Sequence, residues 1–129
     1  MPQNYSEVLD YSISPAEFFR SQYNKEEQTR ALSYLGSMKF TTGEMSHLIG
    51  ELSGGQQAKL IFLNMVLQKC NVLLLDEPTR NFSPLSAPVI RKALCEFNGA
   101  IISISHDRKY LDEVAERVYI LSQNGLNLL

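Results

Sequence analysis

Three short clusters in this 129-residue chain combine residue types that could do chemistry. Asp76-Glu77-Pro78-Thr79 follows the unbroken apolar run Val72-Leu73-Leu74-Leu75. Two adjacent carboxylates in that place offer a division of labour: one could hold a hard cation such as Mg²⁺, the other could orient or deprotonate a water. An acidic turn stopped by Pro78 would read the same way. Ser105-His106-Asp107 ends a second apolar run, Ala100–Ile104. A histidine there could hydrogen-bond a phosphate or a water, or merely sit at a helix start. The three residues are sequence neighbours, whereas nucleophilic triads are usually drawn from separate loops, so no triad is implied. Ser53-Gly54-Gly55-Gln56 is the third cluster. Two glycines behind a capping serine let a helix N-terminus approach an anion closely, with free N–H groups and the positive dipole end facing it. A helix needing only a cap has no use for paired glycines, which cost about 1 kcal/mol each. The anion reading is therefore preferred. Gly50 and Gly55 also have the spacing of the outer glycines of a phosphate loop, but Gln56-Gln57 stand where Lys and Ser/Thr belong, and that match is rejected.

The elements that must position these clusters fall into two halves. Residues 6–50 read as polar and helical, with starts at Ser14-Pro15-Ala16-Glu17, Asn24-Lys25-Glu26-Glu27 and Thr41-Thr42-Gly43-Glu44. Their helices should present Phe18, Phe19, Ala31, Leu32, Tyr34, Leu35, Met45 and Leu48 inward. Residues 51–129 alternate helix and strand. A buried helix, apolar nearly all round, should run from Ser53 to about Gln68. The run at Val72–Leu75 fits a strand covered on both faces, and Ala100–Ile104 another buried strand. Helices are expected at about 86–97, with Val89, Ile90, Leu94 and Phe97 inward, and at Asp107–Ala115. Val118–Leu121 should add a third strand, and Asn124-Gly125 a tight turn into Leu126–Leu129. Strands alternating with helices imply a mostly parallel sheet, beyond whose carboxyl ends ligands bind.

Composition narrows the field. The chain is 44% hydrophobic and 20% charged, too apolar for disorder, and its length allows one core. Twelve basic against fourteen acidic residues give a net charge of −2, without the basic face of a phosphate-backbone binder. Cys70 and Cys95 lack disulfide-framework or metal spacing, and His47 and His106 add no zinc cluster, so reduced thiols of a cytoplasmic protein are expected. No run approaches the ~18 apolar residues of a membrane span, and the N-terminus lacks the features of a signal peptide.

Taken together, the motifs resemble a known family. Leu52-Ser53-Gly54-Gly55-Gln56-Gln57 looks like the signature motif of ABC-type ATPases, Asn71–Thr79 like their Walker B strand with its trailing Glu, and Ile104-Ser105-His106-Asp107 like their switch histidine. Pro2-Gln3 resembles the Q-loop. Tyr34–Phe40 and Ser105–Val114 look closest to ABC-F proteins, cytosolic twin-ATPase proteins of which several act on ribosomes and some confer antibiotic resistance. The resemblance implies an α/β fold: an incomplete P-loop NTPase (RecA-like) half, preceded by an all-helical signature subdomain. Residues 1–5 would be a Q-loop remnant, 6–69 the helical subdomain and 70–129 the Walker B and switch-histidine part. It also implies roles. Gln3 would sense Mg²⁺ and the γ-phosphate. Ser53, Gly54 and Gly55, with Gln56 beside them, would bind the γ-phosphate of ATP held by an opposed, head-to-tail nucleotide-binding domain. Asp76 would support Mg²⁺ through water, Glu77 would polarise the attacking water, and His106 would contact the γ-phosphate.

Two departures stand out. Ser83 takes the place of the Asp that usually ends the loop after Walker B, in a stretch Arg80–Ser86 that resembles the second ATPase domain of some resistance-type ABC-F proteins. And no G-x-x-x-x-G-K-[ST] occurs, so the phosphate loop and its strand are missing. In the family's sheet that strand lies between the one ending at His106 and Val118–Leu121. The expectation is the ATP-binding and ATP-hydrolysing component of an ABC-type protein, inactive on its own, with two strand edges free for dimerisation. The alternatives are the ATPase subunit of a membrane permease and a non-catalytic fragment lending its signature helix to another ATPase.

Overall fold

The structure, a computed structural model, describes residues 5–80 and 82–129. Gln3, and Asn81 in the loop after the Asp-Glu pair, lie outside the described residues.

Local capping chemistry sets the helices of the first half. Ser14 accepts from the Glu17 N–H and opens α1 (Pro15–Gln22), and Asn24 accepts from Glu27 and opens α2 (Lys25–Ser37). Thr41 and Glu44 cap each other's backbone at α3 (Thr42–Ser46). Ser53 and Gln56 do the same at α4 (Gly54–Leu67), whose Leu60, Ile61, Phe62, Leu63 and Val66 are all buried. Phe18 and Phe19 meet edge to face at 5.2 Å and join Ala31, Leu35 and the α4 side chains in one core cluster. Burying each of the larger of these side chains contributes about 1.5–3 kcal/mol. Tyr34 is half-buried, as is Met45, but Leu32 and Leu48, expected to face inward, are exposed. Leu32 immediately follows the fully buried Ala31, a rotation that turns it off the packed stripe.

β1 (Val72–Asp76), α5 (Ala87–Cys95), β2 (Ala100–Ile104) and α6 (Arg108–Glu113) follow, and β1 and β2 pair in parallel with Val72 opposite Ala100 and Asp76 opposite Ile104. Leu73 and Leu75 face the core, with Ile90, Ala93 and Leu94 of α5 and Tyr110 of α6. The Tyr110 hydroxyl donates to Ser103 Oγ at 2.9 Å, so α6 lies over the same sheet face as α5. The two strands were expected to be covered on both faces, and they are not. Val72, Leu74, Ile102 and Ile104 are exposed, Leu74 by 72%. Among the described residues helices cover one face of the sheet only, and the alternation of a strand then sends every second apolar side chain outward.

β3 (Tyr119–Ser122) and β4 (Gly125–Leu128) form a separate antiparallel hairpin. The expected turn is present, one residue earlier: Gln123 and Asn124 make it, and Gly125 opens β4 at φ 105°. The third strand of the parallel sheet is corrected: β3 pairs with β4 and not with β2. Among the described residues no helix is long and apolar enough to cross a membrane.

Candidate functional site

The carboxyl ends of β1 and β2 bring two of the three clusters together. β1 ends at Asp76, an exposed residue, and the Glu77 N–H donates to the Ile104 carbonyl at 2.8 Å, extending the ladder one step past the strand. Glu77 then takes φ 47°, in the left-handed region that costs a side-chain-bearing residue roughly 1–2 kcal/mol. That turn aims its carboxylate across at the second loop. Oε1 lies 2.5 Å from His106 Nδ1, and Oε2 accepts from the His106 N–H at 3.3 Å. The His106 hydrogen bond holds the Glu77 carboxyl below the usual carboxylate range against the opposing effect of burial, and the Arg80 charge adds to the lowering. The His106 side chain is 89% exposed, and that of Glu77 is 19% exposed.

Behind this pair lies a bond the sequence did not announce. Thr79 is buried, and its hydroxyl donates to Asp107 Oδ2 at 2.8 Å. Asp107 Oδ1 accepts from the Lys109 and Tyr110 N–H groups, capping α6, and its own N–H donates to Ser105 Oγ. The Thr79 bond, then the two backbone donors and Arg91, hold the Asp107 carboxyl below its ordinary value. Thr79 and Asp107 are 28 positions apart, so no local pattern links them. Asp107 starts a helix, as one reading of Ser105-His106-Asp107 has it, and His106 faces the Glu77 carboxylate.

The third cluster stands by itself at the α4 N-terminus. Ser53 Oγ accepts from the Gln56 N–H at 3.2 Å, and Gln56 Oε1 accepts from the Ser53 N–H at 3.0 Å. Behind them the buried Gln57 fixes the incoming loop, donating to the carbonyls of Ile49 and Leu52 and accepting from the Tyr11 hydroxyl. A Cβ placed on Gly54 or Gly55 would meet no atom within 4 Å. Nothing among the described residues requires either residue to be small. Ser83 is spent locally: its hydroxyl accepts from the Ser86 N–H in the turn before α5. The neighbouring Phe82 packs on Phe62 of α4, ring centroids 6.0 Å apart.

Among the described residues no three His, Cys, Asp or Glu side chains gather into a cage for a metal. Asp76, one exposed carboxylate at a strand end, suits a cation that keeps its waters and takes its other ligands from phosphate.

The chain is related to proteins of known type. It is 27% identical over 123 residues to ABC transporter F family member 4 of Dictyostelium discoideum, covering 95% of this chain and 11% of that protein. It is 31% identical over 121 residues to the ABC transporter ATP-binding protein ARB1 of Saccharomyces cerevisiae, covering 92% of this chain and 20% of that one. The chain thus spans about a tenth to a fifth of the length of these curated relatives. Its fold superposes on the dimeric ATP-binding cassette MJ0796, bound there to ADP and Pi, with a TM-score of 0.62 at 20% identity, over 92% of this chain and 55% of that one. The sequence pattern described as ABC transporter matches residues 1–80, and the chain belongs to that family of nucleotide-binding domains, with family-F members among its relatives.

Proposed function

We propose that the chain forms the Walker B, switch-histidine and signature parts of an ATP-hydrolysing domain in a cytoplasmic protein of the ABC-F type. The observation that carries the reading is the Glu77–His106 pair at the carboxyl ends of β1 and β2, 2.5 Å apart on a turn strained to φ 47°. A carboxylate beside an exposed imidazole can accept a proton from a water while the imidazole donates to a phosphate oxygen. Glu77 is the base that polarises the attacking water. His106 is the group that contacts the γ-phosphate. When substrate enters, their mutual bond is exchanged for bonds to water and phosphate. Mg²⁺, when bound, would neutralise developing phosphate charge, with Asp76 holding it through water and Gln3 sensing it. Ser53, Gly54, Gly55 and Gln56 face the γ-phosphate of ATP bound to a second, head-to-tail domain, where the helix N-terminus and its N–H groups suit an anion. Action on the ribosome is what the resemblance to ABC-F proteins would add to this reading.

A second reading is favoured by the α4 N-terminus, where no described atom within 4 Å requires Gly54 or Gly55 to be small: the chain lends its signature helix to an ATPase that has the phosphate loop, without hydrolysing ATP in its own site. Calorimetry with MgATP on the chain alone, then with an added phosphate-loop segment that completes its own site, then with a whole cassette opposed to its α4 N-terminus, tests both, with Glu77→Gln in parallel. The expected result is no heat at millimolar ATP for the chain alone, and hydrolysis with the added segment that Glu77→Gln suppresses. Hydrolysis raised only with the whole cassette, above that of the cassette by itself, insensitive to Glu77→Gln but lost with Gly55→Ala, selects the second reading. Tight binding by the chain alone overturns the incomplete-site argument, and no binding or hydrolysis in any setting overturns the function.

A further inference from the structure

His106 has little to orient it. Its side chain is 89% exposed, so packing cannot select a rotamer, and its bond to Glu77 competes with water. What remains is the position of its backbone, set by the turn from Ser105 to Asp107. That turn is held from two sides. Asp107 N–H donates to Ser105 Oγ, and Asp107 Oδ1 caps α6. The free oxygen of the same carboxylate, Oδ2, takes the hydroxyl of Thr79, two residues beyond Glu77 in the opposite loop. The donor is buried and the acceptor half-buried, so this bond is sheltered from exchange with water in a way the Glu77–His106 bond is not.

We propose that Thr79 and Asp107 are positioning residues, and that the Thr79 Oγ1–Asp107 Oδ2 bond locks the two loops so that His106 stays aligned on the Glu77 carboxylate. The proposal rests on the reading of Glu77 and His106 as the reacting pair, but its test needs no nucleotide. With Glu77 accepting at Nδ1, the neutral imidazole of His106 is held in its Nδ1–H form. Nitrogen-15 spectra of the ring, with His47 as the internal reference, report that form directly.

Thr79→Val keeps the shape and removes the donor; Thr79→Ser restores it. The expected result is a dominant Nδ1–H tautomer and ring-to-Glu77 contacts in the wild type and Thr79→Ser. In Thr79→Val both should be lost, with the Nε2–H form taking over and the His47 signals unmoved. Should Thr79→Val fail to fold, Asp107→Ser retains a capping hydroxyl for α6 but cannot reach Thr79, and the same loss is expected. A purely structural role would lower the melting temperature and leave the ring signature of the folded protein at its wild-type form. That outcome overturns the proposal. Failure of the chain to support hydrolysis in any assembly would defeat the proposed function while leaving this readout intact.

Discussion

Gly54 and Gly55 weaken the helix they open, and among the described residues no atom within 4 Å requires them to be small. Gly55→Ala should therefore raise folding stability by up to about 1 kcal/mol, seen as a later denaturant midpoint. It should also cut the hydrolysis supported in an assembled pair by on the order of tenfold to a hundredfold, because the phosphate could no longer approach the backbone. Stability and activity moving together would count against a phosphate-facing role. Tyr23 gives the opposite kind of case, a residue used wholly inside the chain. Its hydroxyl donates to Asn64 Oδ1 at 2.5 Å, and burial, then the charge of Glu27, push it from 10.0 up to about 12. A raised pKa favours the protonated form in the folded state. Its contribution is fully present below pH 10 and fades as pH rises towards 12. Tyr23→Phe should cost about 1–3 kcal/mol at neutral pH by leaving buried Asn64 short of a donor, and should flatten the alkaline limb of a stability–pH curve. Glu77 and His106 were legible as members of two polar clusters after apolar runs, though not as a pair in contact. The Thr79–Asp107 bond was not, because a contact across 28 positions leaves no trace in local spacing.

Among the elements, helix starts were the most legible part of the chain. Ser14, Asn24, Thr41 and Ser53 each accept from the backbone N–H three residues on, a bond that needs nothing beyond its own turn. Strand positions were legible too, since β2 runs over Ala100–Ile104 as its apolar run does. Their environment was not. An apolar run reports what a strand can bury, and Leu74 and Ile102 stand exposed because only one face has helices on it. The approach to β2 holds a constraint of its own. A Cβ on Gly99 would sit 2.4 Å from the Asn71 carbonyl oxygen, which accepts from the Ala100 N–H at 2.8 Å and so anchors the first rung of the sheet. Gly99→Ala should destabilise by roughly 1–3 kcal/mol. Gly36→Ala, inside α2 and with open space around it, should stabilise by about 1 kcal/mol and serves as the control. Urea midpoints of the two variants measured side by side check both signs; a neutral Gly99→Ala would mean that the strand entry moves freely.

At the scale of the whole molecule, the exposed sheet face and the strand edges set the behaviour in solution. Val72, Leu74, Ile102 and Ile104 share one face, and the hairpin adds Leu121 at 79% and Leu126 at 63% exposure. β1 and β2 pair only with each other, leaving an outer edge on each among the described residues. Apolar faces beside open edges template further pairing, and the charges that usually guard such edges are absent from the central positions of both strands. The chain by itself should therefore associate, through the edge-to-edge pairing expected from the sequence. Sedimentation velocity over a concentration series should show mass above that of one 14.6 kDa chain. Leu74→Glu combined with Ile102→Lys places opposite charges on opposed residues of the β1–β2 register, so it can keep the pair while making the face polar. That variant should sediment as a monomer with unchanged far-ultraviolet circular dichroism. If association survives the double change, the hairpin rather than the parallel pair carries it, and the same substitution at Leu121 and Leu126 decides. A wild-type chain that stays monomeric and melts cooperatively above ~60 °C would show that the described core is self-sufficient and that the open face carries no cost to stability.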